Sequence, residues 1–106
     1  MQAVSITVPA TFYDDHAERF ADQPDVDCGA EHWRKGHRVY ISISASGLAE
    51  LEDDARYYAA DVDEAPENII ASARRTVAAI ERYRAAEIAR FAIKARYSGK
   101  RCKPQD

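Results

Sequence analysis

The chain opens on an alternation. Val4, Ile6 and Val8 are separated by Ser5 and Thr7, the period-two pattern of a strand with one apolar face. After Pro9 the period changes. Phe12, His16 and Phe20 recur four apart, Tyr13, Ala17 and Ala21 flank them, and Asp14, Asp15 and Glu18 take the opposite side. This predicts a short amphipathic helix opened by Pro9, with Thr7 as its candidate cap. Asp22 to Gly29 has no period and contains Gln23-Pro24-Asp25, a turn-forming loop. Alternation returns in Val39, Ile41 and Ile43, a clear strand over 37–44, and Lys35-Gly36 is the candidate turn joining it to a shorter strand at 30–34. From Ser44 or Ser46 a second helix is expected to about Ala60. Leu48, Leu51, Ala55 and Tyr58 form its inner stripe, and Glu50, Asp53, Asp54, Tyr57 and Asp61 its outer one.

The last stretch is the longest. Between Pro66 and Gly99 there is no Gly or Pro, and Ile70, Ala73, Val77, Ile80, Ile88, Phe91 and Ala95 follow helical spacing with one gap. A single helix over about 66–97 is predicted, with Asp63 as a start signal and Gly99 as a stop. Arg84 fills the gap in the stripe. A buried arginine there would cost several kcal/mol unless paired. So the first half should pack in the domain and the second half should project, with Arg84 at the seam meeting a carboxylate.

These elements give an α+β fold in the order β-α-(β)-β-α-α. A small sheet of two or three strands carries helices on one face, and parallel and antiparallel pairing of the two clear strands both remain open. One domain covers 1–99, and 100–106 is expected to be a disordered basic tail. A bare sheet edge and a projecting helix are both relieved by a second copy. The expected assembly is therefore a homodimer formed through Ile88, Phe91 and Ala95.

Charge sharpens this outline. The net charge is −3, but residues 14–67 hold fifteen acidic side chains against five basic ones, and residues 68–106 hold ten basic against three acidic. Segregation of this kind favours oriented contacts, within the chain or with a partner. No run approaches the roughly 20 apolar residues of a membrane span, and the start lacks the basic end and long apolar run of a secretory leader. A soluble cytoplasmic protein is the expectation.

Candidate chemistry is sparse. Cys28, His32 and His37 are zinc-type ligands, with His16 a fourth only if the first helix folds over the loop. Their spacing matches no strong zinc signature. The four glycines are isolated, so no phosphate-cradling loop exists and no cofactor is expected. The acidic stripe Glu50, Asp53, Asp54 and Asp61 suits a basic protein surface. The basic set Arg75, Arg82, Arg90, Arg101 and Lys103 suits phosphates instead. The reading is a small non-enzymatic accessory or regulatory protein that acts through protein–protein interaction as a homodimer. Nucleic-acid binding by the basic helix and tail is the first alternative, and a zinc-stabilised module or small metal-dependent enzyme is the second.

Overall fold

The computed structural model describes residues 3–62 and 64–102, with side chains as far as Lys94. The elements run β1 (Ala3–Pro9), α1 (Ala10–Arg19), β2 (Ala30–Lys35), β3 (Arg38–Ser44), α2 (Ala45–Ala59) and α3 (Glu67–Cys102). This is an α+β fold with a three-stranded sheet in the order β1-β3-β2, antiparallel throughout. The choice left open by the sequence thus falls to antiparallel pairing.

Register carries the hydrophobic pattern directly into the core. Val4 pairs with Ile43, Ile6 with Ile41 and Val8 with Val39, so the apolar sets of β1 and β3 share one face. On that face they meet Phe12 of α1, Leu48, Leu51 and Ala55 of α2, and Ala73 and Ile80 of α3 in one buried cluster. The opposite face carries Ser5, Thr7, Tyr40 and Ser42 and is left open. β2 is exposed along its whole length and bulges between Glu31 and Trp33. The hairpin loop from β2 to β3 is Gly36-His37, one residue later than the sequence suggests, because only Gly36 adopts the positive φ (62°) that the tight turn needs.

The helix starts are set by side chains, some of them remote. Ser44 caps α2, its hydroxyl accepting from the Gly47 amide at 3.0 Å. α1 has Pro9 at its N-cap and no local side-chain cap, so Thr7 does not serve. The Phe12 amide donates instead to the Ser72 hydroxyl of α3, at 2.8 Å in the buried interior. Asp63 lies outside the described residues.

α3 is one unbroken helix of 36 residues, roughly 54 Å long at the usual rise. It passes through Gly99 to Cys102, so Gly99 is not its stop, and part of the expected tail is helical. Glycine costs only about 1 kcal/mol within a helix, and the helix formers around it outweigh that. The molecule measures 62 × 26 × 26 Å, with a radius of gyration of 17.0 Å, against roughly 13 Å for a compact domain of this size. The excess length is α3. Its last buried side chain is Ile80, and from Glu81 to Lys94 every side chain but Tyr83 is exposed.

Candidate functional site

Three surfaces stand out. The first is the arm, the part of α3 beyond Ile80. Ile88 is 71% exposed, Phe91 76% and Ile93 49%. The cause is local. Arg56 of α2 meets Glu81, and Glu52 of α2 holds Arg84. These contacts set α2 antiparallel to α3, and among the described residues they are the last ion pairs between α2 and the arm. Arg84 donates to Glu52 Oε1 at 2.8 and 3.2 Å, and Arg56 donates to Oε2 at 2.8 and 3.1 Å. Burial pushes the Glu52 carboxyl up, but the two guanidinium groups outweigh it and hold it below the usual carboxylate range. The interruption in the apolar stripe is therefore a clamp at the point where the helix leaves the domain. Ala95 lies on the same helix, beyond the last described side chain.

The second surface is the acidic stripe of α2 and the turn after it, which the structure divides. Glu50, Asp53 and Asp61 are exposed. Asp54 turns inward, where its carboxylate faces His16 Nδ1 at 2.8 Å and accepts from the Arg19 guanidinium. His16 is fully buried, and its other ring nitrogen has no hydrogen-bond partner. Arg19 lies over the rings of Tyr58 and Phe12, at 4.6 and 5.6 Å from their centroids. Burial raises the Asp54 carboxyl, and the His16 and Arg19 contacts lower it by more, so it titrates below its ordinary value. Asp54 fastens α2 to α1 and is not available to a partner.

The third surface escaped the sequence reading in part. A groove of about 600 Å³ lies between the β1–α1 corner and α3, and Thr7, Thr11, His37, Arg38, Arg75 and Arg82 line it. The sequence groups Arg75 with Arg82, and both line the groove. Arg38 comes from the end of β3 and has no sequence signal linking it to them. Arg90 is on the arm, paired with Glu87 at 2.6 Å. The Arg101 side chain and all of Lys103 fall outside the described parts.

Cys28, His32 and His37 do not converge, and the zinc reading fails on these residues. β2 is an extended strand, so Cys28 and His37 lie off its opposite ends, and His32 packs at 5.3 Å against the Tyr40 ring. Among the described residues no three His, Cys, Asp or Glu side chains come close enough to hold a metal ion. Burial, then the Asp27 charge, pushes the Cys28 thiol above its ordinary value, the opposite of an activated nucleophile. No described helix is long and apolar enough to cross a membrane. No family model, curated protein or solved structure matches this chain.

Proposed function

We propose that this protein is a non-enzymatic accessory or regulatory protein that works as a homodimer, the arm of each copy lying against α2 of the other. The observation that supports it is the arm itself, a helix that leaves its domain with Ile88 and Phe91 bare. Isolated surface residues of this kind need no explanation, but here they continue the stripe that ends in Ile80.

Charge favours a second copy as the occupant. From Glu81 to Lys94 the arm is net basic, with Arg82, Arg84, Arg90 and Lys94 against Glu81 and Glu87. The outer side of α2 is acidic, with Glu50, Asp53 and Tyr57 exposed, and Asp61 and Val62 are exposed in the turn that follows it. Each chain thus carries both halves of a complementary contact, the requirement of a two-fold interface. Binding rather than turnover is the mode of action, and the His16 side chain makes its hydrogen bond to Asp54, in the contact between α1 and α2.

Phe91→Asp tests this. It removes one large apolar contact from each of two equivalent sites and should weaken the dimer roughly a hundredfold or more. Glu50→Lys with Asp53→Lys should weaken it as well and invert its salt dependence. Sedimentation equilibrium reads both. A dimer unchanged by Phe91→Asp would refute the assignment of the arm.

A further inference from the structure

The open face of the sheet joins the basic groove, and we infer that together they form a site for single-stranded nucleic acid, with the phosphates in the groove and the bases on the aromatic row. The first observation is a contrast among the arginines. Arg19, Arg34, Arg56, Arg84 and Arg90 are paired with carboxylates, and Arg74 donates to the Ala59 carbonyl. Among the described residues Arg38, Arg75 and Arg82 alone of the arginines have no such acceptor, and all three line one groove. Among the described residues, a chain with fifteen acidic side chains in residues 14–67 has left its unneutralised guanidinium groups together. Arg75 and Arg82 stand two helical turns apart on one side of α3, a spacing of roughly 10 Å that suits successive contacts along a backbone.

The second observation comes from the sheet. Thr7, Tyr40 and Trp33 are cross-strand partners in one row on the open face. Trp33 lies against Tyr40 with centroids 5.4 Å apart and planes within 16°, and His32, set forward by the bulge, adds a third ring at 5.3 Å. Trp33 is nevertheless 47% exposed. The row next to it pairs Pro9, Arg38 and Lys35. Thr7 belongs to both the aromatic row and the groove wall, and Arg38 is one row from Tyr40, so rings and cations form one continuous surface. Aromatic rings beside a basic track are what unpaired bases and their phosphates require. A duplex hides its base faces, and the acidic half would repel a long one. A carboxylate-bearing protein would use the arginines and leave the rings idle. Arg82 is the one residue shared with the basic side of the arm, and the other groove and row residues lie outside it.

Trp33 is the chain's single tryptophan, so its fluorescence reports on this surface directly. Titration of the whole protein with an oligothymidylate should quench Trp33. Affinity should fall with salt by about 0.7 log unit per phosphate for each tenfold rise. Arg75→Ala and Arg82→Ala should each remove about one contact from that slope, and Tyr40→Ala should weaken binding between fivefold and a hundredfold without changing it. Circular dichroism checks that each variant is folded, and Arg56→Ala, which removes a paired arginine elsewhere, should leave binding intact. Absence of quenching at low salt would overturn the inference. So would equal affinity for the matching duplex, or binding that survives both groove substitutions with its salt slope unchanged.

Discussion

Removing the Asp54 carboxylate should destabilise the fold by about 2–4 kcal/mol at neutral pH. In Asp54→Ala the fully buried His16 ring, already without a partner on one nitrogen, loses the partner on the other. A buried polar group left unpaired costs about 1–3 kcal/mol. Arg19 is about a third exposed and keeps Asp15, so its lost contact adds less than about 1 kcal/mol after solvent screening. For a domain of this size the sum is a large share of the usual 5–15 kcal/mol, and it should lower the thermal midpoint by about 10–20 °C. The sign with pH follows from the depressed carboxyl. Its folded value lies below its unfolded value, so the stabilisation is complete above the unfolded value near pH 4 and is lost as pH falls through the folded value. Urea unfolding of the protein and of Asp54→Ala, from pH 7 down to pH 3, measures this. The gap between them should be widest at pH 7 and should narrow as pH falls below about 4. A gap below about 0.5 kcal/mol at pH 7, or one that does not change with pH, would refute the reasoning.

Two further outcomes follow from close contacts in the core. Gly47→Ala should destabilise by about 1–3 kcal/mol in urea unfolding, although such a change in a helix usually helps, because the added Cβ meets the Asp27 backbone carbonyl and comes within 2.8 Å of Ile43 Cγ1. Ser72→Ala should cost about 1 kcal/mol and speed hydrogen exchange at the Phe12 amide, which loses its only cap.

Much of the fold is written in local periods. The alternations of β1 and β3 place Ile6, Val8, Val39, Ile41 and Ile43 in the core, and the gap at Arg84 marks where α3 leaves the domain. β2 is less legible because none of its residues is buried, so it has no inside-outside alternation to read. What no local pattern contains is pairing across the chain. Asp54 reads as an outer residue of its helix, and only the arrival of His16 and Arg19 turns it inward. Ser72 reads as a neutral helix position, yet it caps α1 from 60 residues away. The groove is hidden for the same reason, since Arg38 meets Arg75 and Arg82 only after β1 and β3 pair and α3 packs beside them.

The central claim is that the arm is covered by a second copy of the chain. Light scattering on the untagged protein near about 100 µM, a concentration at which even a modest dimer is populated, tests it most directly. A dimer gives twice the 11.9 kDa of one chain, falling to that of one chain in Phe91→Asp. A mass of 11.9 kDa for the unaltered protein at that concentration would contradict it.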